Sequence, residues 1–272
     1  MVVSSRISVV KEGAMRLAVL SDIHGNLTAL EAALADLALV PDIDLTWCLG
    51  DLACFGARPL ECVQRIKAFC EQDEGKTFRV IGGNTDRYLI GGERLRVPSA
   101  QDENEFVNLA RDLQNRDQLI NWSLAKLDFE AYQYLKSILR RELSKEVDGY
   151  GTVIGYHAVP GDDEAFLTPT TTDELVADYF LDREGRLGIG GHTHRQMDRF
   201  VGNWRVVNTG AIGMSFDRPG FAQYAVFTFT GDEVEVDLRN IPYDIDAAAA
   251  DLHSVGHPNP EWFIAKMKQI AG

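Results

Sequence analysis

Residues 16–26, RLAVLSDIHGN, decide how the fold is read. RLAVLS is short and apolar, as a buried strand is. The chain then turns polar at Asp22 and His24, and Asn26 stands where a helix N-cap would. Leu27, Leu30, Leu34 and Leu37 follow at helical spacing. The order strand, polar loop, helix then repeats. LTWCL at 45–49 predicts a second strand and GDLACFGARP at 50–59 a loop, with Pro59 opening a helix to about Cys70. TFRVIG at 77–82 predicts a third strand, running into GGNTD at 82–86. Alternation of this kind implies parallel strands joined by helical crossovers, an α/β protein.

From about residue 87 to 150 the apolar residues thin out and the pattern becomes helical. Phe106, Leu109 and Leu113 form one stripe, and Trp122, Leu124, Leu127, Tyr134, Leu135, Ile138 and Leu139 supply others. Several short helices are expected here, either as a cap on the core or as a lid over a site. Strands resume at 152–157, 187–190 and 204–208. Residues 222–229 and 233–238, with Gly231-Asp232 between them, read as a hairpin. The tail from 241 to 272 carries helices at 245–254 and 260–270. No linker rich in Pro, Gly or Ser divides the chain, so a single domain over 15–272 is expected, with a helical insertion at 87–150 and an N-terminal extension at 1–14.

Acidic residues outnumber Lys and Arg by 41 to 27, a net charge of −14. That balance opposes general nucleic-acid binding, which needs a basic face. It leaves room for an anionic small substrate, because a bound cation reverses the local field. No apolar run reaches the roughly 18–20 residues of a membrane span. Cys48, Cys54, Cys62 and Cys70 form no C-x-x-C pair and read as buried small hydrophobes in a reducing compartment. Residues 1–14 lack the long apolar core of a signal peptide. Together these features lead us to expect a cytoplasmic protein.

The polar residues of interest all follow strands. Asp22 and His24 follow the first, Asp51 the second and Asn84 the third, while His157 ends the strand TVIGYH and His192 and His194 follow LGIGG. In open α/β sheets, sites collect beyond the carboxyl ends of strands. Five loops would then deliver two carboxylates, an amide oxygen and four of the chain's six imidazoles to one place. The i, i+2 pair His192 and His194 points to one side of an extended segment. His253 and His257, in the tail, are assigned structural or solvent roles.

The ordered set D-x-H (22–24), G-D (50–51), G-N-x-D (83–86), a strand-end His157 and G-H-x-H (191–194) resembles the calcineurin-like metallophosphoesterases. SDIHGN at 21–26 and NTGAIG at 208–213 add to the match. The resemblance implies two facing β-sheets flanked by helices and two metals at the strand ends. By position it assigns Asp22, His24 and His194 to the first metal, Asn84, His157 and His192 to the second, and Asp51 as the bridge. Asp51, Asn84 and Asp86 form the catalytic set it implies. Nitrogen and oxygen ligands admit two divalent or mixed-valence transition metals, Mn, Fe, Zn, Co or Ni. The chemistry implied is attack by a metal-activated hydroxide on a phosphorus centre.

Two departures stand out. Many members of the family read G-N-H-[DE], and Thr85 occupies the place of that His, the proposed proton donor to the leaving group. Ala158 follows His157 where Gly is usual. The insertion and the late R-N-I-P-Y-D at 239–244 are similar to bacterial dinucleoside tetraphosphate hydrolases, which points to a small phosphorylated substrate, with a nucleotide as one candidate. Asn84, Arg94 and Arg96 are candidate substrate contacts, since guanidinium groups grip phosphates bidentately. A phosphoprotein phosphatase fits less well, because GDLACFG stands where those relatives read G-D-x-V-D-R-G. A non-catalytic scaffold is the remaining alternative, opposed by the intact ligand set.

Overall fold

The computed structural model describes residues 14–95, 97–139 and 142–268. Strand β1 (Met15–Leu20), helix α1 (Leu27–Leu37), β2 (Leu45–Cys48), α2 (Pro59–Glu71) and β3 (Phe78–Val80) form the expected repeat. The three strands are parallel neighbours, Leu17 opposite Leu45 and Thr46 opposite Phe78. Asn26 caps α1, its side chain accepting from the Ala29 amide. The hairpin β9 (Phe221–Thr230) and β10 (Glu233–Pro242) joins antiparallel to β1, giving the strand order β10-β9-β1-β2-β3.

A second mixed sheet has the order β4-β5-β6-β8-β7. Its centre is parallel: β5 (Gly151–Tyr156), β6 (Leu187–Gly190) and β8 (Trp204–Thr209). Its edges are the antiparallel β4 (Glu142–Val147) and β7 (Gln196–Val201). Alternation along β1 explains the layering. Leu17 and Val19 face Trp47, Val153, Ile189 and Val207 between the sheets, whereas Ala18 and Leu20 face α1 and α2 on the outside. Trp47 packs against Gly155, where a Cβ would meet its ring at 2.7 Å. On the far side, Ile154, Tyr156 and Val206 pack against Val176 and Phe180 of the segment that holds α6 (Asp173–Tyr179). Two facing sheets with helices outside each therefore build the α/β fold expected from the motif set.

Four elements differ from the sequence reading. The insertion holds α3 (Asn84–Gly91), α4 (Glu103–Lys126) and α5 (Phe129–Ser137), so one helix of 24 residues replaces several short ones. Its N-cap Asp102, first-turn acids and last-turn Lys126 all favour helix ends. Only Leu119, Ile120 and Ser123 are buried, which is why its apolar pattern was thin. The span to 150 also ends in a strand, β4, and β7 and α6 were not anticipated. Both strands are charged edges: β4 buries only Leu143 and Val147, and β7 only Met197 and Val201.

The tail forms α7 (Ile245–Ser254) and α8 (Pro260–Lys268), packed through Leu252, Phe263 and Met267 onto Ala57 and Met214. Of the extension expected at 1–14, only Ala14 is among the described residues. No helix among them is long and apolar enough to cross a membrane.

Candidate metal centre

The loops after β1, β2 and β8 are laced together by their backbones. The Asp22 amide donates to Gly50 O at 3.0 Å and His24 to Asp51 O at 2.8 Å, and Gly213 donates to Asp22 O at 2.9 Å. Their approach is too close for side chains. A Cβ at Gly50 would lie 2.2 Å from the Gly83 nitrogen, and one at Gly83 would lie 2.3 Å from Asp51 Oδ1. Gly191 likewise leaves space for Asp22, at 2.3 Å.

This lacing brings six of the seven expected ligands into one chain of contacts. Asp22, His24 and His194 offer ligand atoms within 4.8 Å of one another, as do Asp22, Asp51 and His157. Asp51 Oδ2 lies 3.7 Å from His24 Nε2 and 3.5 Å from His157 Nε2, between the two groups. Asn84 Oδ1 is 3.0 Å from His157 Nε2. The seventh, His192, stands at the rim, its ring 5.1 Å from that of His157.

The hydrogen bonds around the imidazoles fit a cation. His24 Nδ1 donates to Cys54 O, His157 Nδ1 to Leu49 O and His194 Nδ1 to Met214 O. Each ring therefore turns Nε2 inward as the free lone pair, the tautomer a metal takes. His24 Nε2 and His194 Nε2 then face each other at 3.0 Å, and His157 Nε2 faces an amide oxygen at the same distance. Lone pairs aimed at each other repel unless a cation sits among them. Asp22 Oδ1 and His192 Nε2 are buried without hydrogen-bond partners, as open ligand positions would be.

Titration follows from the same packing. Burial, then the nearby His194, pushes His24 down to about 4, and burial with His157 does the same to His192. Burial opposes charge on both carboxylates. The histidines nonetheless hold Asp22 at about 2 and Asp51 below the usual carboxylate range. Burial also opposes the His157 cation, and Asp51 overcomes it, raising that group to about 10, so its inward Nε2 carries a proton unless a metal displaces it.

Asp86 does not face this cluster. Its carboxylate accepts from the Asp51, Leu52 and Gly83 amides at 2.8, 3.0 and 3.1 Å, pinning two ligand loops together. Burial and then the Asp51 charge lift it to about 7 against those amides. Thr85 is buried, its amide donating to Asp51 Oδ1 at 2.9 Å and its hydroxyl oxygen unpartnered. Arg94 is engaged by Asp117 at 2.6 Å and by Asn121, both on α4. Arg96 lies outside the described residues. Arg239, in the stretch at 239–244, is bound to Asp36 on α1.

The carbonyls that orient the imidazoles carry no sequence signal. Asn208 had one, as the first residue of NTGAIG: its amide donates to Gly191 O at 2.6 Å and holds the G-H-x-H loop. His257 also acquires partners, donating from Nε2 to Phe55 O at 2.7 Å and meeting the Trp122 ring at a steep angle, 4.9 Å between centroids.

Residues 15–232 match the calcineurin-like phosphoesterase superfamily domain. The chain belongs to that family, whose members use divalent metals, and it is a metal-dependent phosphoesterase. It is 28% identical over 263 residues to an uncharacterized protein of Methanocaldococcus jannaschii, covering 90% of this chain and 94% of the relative. It is 31% identical over 104 residues to the symmetrical bis(5'-nucleosyl)-tetraphosphatase of Pectobacterium atrosepticum, covering 37% of this chain and only 34% of that enzyme. Among solved structures, a metallophosphoesterase from Sphaerobacter thermophilus superposes with a TM-score of 0.66 at 25% identity, covering 93% of this chain and 98% of that one. A hypothetical protein from Pyrococcus horikoshii gives 0.75 at 20% identity, covering 95% and 99%, a likeness of fold.

Proposed function

We propose that this protein is a two-metal phosphohydrolase that cleaves a phosphodiester or phosphoanhydride, with dinucleoside polyphosphates as the favoured substrate class. Asp22, His24 and His194 would hold one metal and Asn84, His157 and His192 the other, with Asp51 shared. The observation that carries this reading is the pair of facing acceptors, His24 with His194 and His157 with Asn84, on either side of Asp51. Bound metals supply Lewis acidity toward phosphoryl oxygens and lower the pKa of water. The chain's own part is to fix the ligands. Three backbone carbonyls set the tautomers, Thr85 N orients Asp51 Oδ1, and Asp86 ties the Asp51 loop to the Asn84 loop. The match to the tetraphosphatases supports the substrate class.

Thr85 narrows the substrate further. A positioned general acid contributes about 10²–10⁴-fold, and a threonine hydroxyl is too weak an acid to replace an imidazolium. Good substrates should therefore have leaving groups stable as anions, aryl esters and phosphoanhydrides, rather than alkyl esters such as phosphoserine. The test is a leaving-group series at fixed metal content in wild type and Thr85→His. The wild-type rate should fall steeply as leaving-group pKa rises, and the variant should flatten that slope. A flat wild-type series with chemistry rate-limiting would reveal another proton donor, and preferred turnover of a phosphoserine peptide would overturn the substrate class.

A further inference from the structure

Phe166 lies in the loop at 158–172 between β5 and α6, and 61% of it is exposed. Several other large apolar side chains are also exposed, among them Phe106, Phe129 and Phe200. Two features set Phe166 apart. Its ring centroid lies 5.3 Å from that of His192, the candidate ligand at the rim of the centre, with the planes at 53°. The backbone on both sides of it is also held.

Upstream, Arg87 on α3 binds Asp163 through both Nε and Nη2, at 2.8 Å each, and Tyr88 donates to Glu164 at 2.5 Å. Downstream, Leu167 O accepts from Thr193 Oγ1, and Thr193 is held in turn by Asn208. Ala165 and Leu167 pack into the apolar cluster of Tyr156 and Val176. Leu167 is buried and Ala165 half-buried in that cluster, and Phe166 between them is left facing outward. An aromatic ring is thus presented to solvent on a fixed backbone beside a candidate metal ligand. Holding the ring in place beforehand removes the ordering cost of binding.

We propose that Phe166 is the stacking platform for a nucleobase of the substrate, on the His192 side of the centre. This rests on the phosphohydrolase reading and adds the part of the substrate that is recognised beyond its phosphates. A planar base has a π-face for the ring, and the phosphate chain would run from it toward the ligand cluster. Stacking of this kind is tolerant of base identity, so adenine and guanine nucleotides should be accepted alike.

The test compares wild type with Phe166→Ala and Phe166→Trp in the metal-loaded full chain. Binding of AMP and of inorganic phosphate is measured by calorimetry, and turnover of a dinucleoside tetraphosphate and of inorganic tripolyphosphate is measured in parallel. In Phe166→Ala, AMP should bind about 5- to 150-fold more weakly and the KM for the dinucleoside substrate should rise to match. Phosphate binding, tripolyphosphate turnover and metal content should stay as in wild type, and Phe166→Trp should retain AMP affinity. Unchanged AMP affinity would overturn the proposal. So would equal weakening toward AMP and phosphate, or lost metal, since either would mean that Phe166 only supports His192. If wild type turns over neither substrate, the hydrolase reading fails, and the two binding measurements still decide the platform.

Discussion

Asp22, His24, Asp51, His192 and His194 all have left-handed backbones, with φ between 52° and 68°. They make up five of the eight non-glycine residues with positive φ among those described. Each such residue costs on the order of 1–2 kcal/mol, and strain of this kind gathers where the surrounding structure over-determines it. Bound metal would offset part of that cost. At a free metal concentration 100 times Kd the gain is about 2.7 kcal/mol, or roughly 5–10 °C in Tm for a chain of this size. Chelation followed by calorimetry should show a drop of that order, reversed by adding Mn²⁺; a Tm indifferent to both treatments would count against metal at these ligands. Asp51→Asn keeps the shape and removes the shared charge. Loss of one or both metals is expected, with turnover falling by more than about 100-fold, since even residues behind the ligands are worth 10- to 100-fold. Elemental analysis alongside kinetics checks this, and full occupancy with normal turnover would refute the shared role.

Loops and helices decide what surrounds the centre. Asp86, at the start of α3, joins the loop after β2 to the loop after β3 through three amides. Asp86→Asn would place an amide NH₂ against N–H donors. It should cost about 1–3 kcal/mol in chemical denaturation and lower metal affinity without any contact to substrate; wild-type stability in the variant would show the clamp to be dispensable. Helix α4 is fastened to the centre's neighbourhood, with Ser123 accepting from the Phe55 amide and Arg94 tied to Asp117. A lid that grips large substrates would have to release Arg94 from that pair. With the guanidinium engaged this way, Arg94→Ala should change kinetics on a small aryl diester and on a dinucleoside polyphosphate equally. A loss confined to the larger substrate would instead put Arg94 on the substrate.

Across the whole molecule, a polar knot ties distant parts of the chain. Asp36 on α1 accepts from Tyr224 on β9 at 2.5 Å and from Arg239 on β10 at 2.8 and 3.1 Å. Partial burial works against its charge, and the Arg239 and Tyr224 hydrogen bonds outweigh it, so its pKa is lowered. A carboxylate with a depressed folded pKa stabilises above its unfolded value of about 3.9, and the gain fades as pH falls through the folded one. Asp36→Asn should therefore cost about 1–2 kcal/mol near pH 7, and the gap to wild type should close below about pH 4. Denaturant melts at both pH values measure it, and a gap that persists in acid would mean that the loss is one of packing.

The sequence by itself determined the parallel β1-β2-β3 core and the six candidate ligands that the fold brings into one cluster, because each follows a short apolar run that reads as a buried strand. It marked the stretch NTGAIG at 208–213 as part of the motif set, and the fold showed that Asn208 within it holds the G-H-x-H loop. It could not show β4 or β7, whose charged edges bury two side chains each, nor the single length of α4, which buries three. Local pattern records burial, and these elements have little. Tertiary structure alone decided that Asp86 clamps loops, that Arg94 and Arg239 pair with Asp117 and Asp36, and that Phe166 lies beside His192. Those outcomes depend on which loops meet at the strand ends, and the partners lie up to 203 residues apart in the chain. No short-range pattern carries that information.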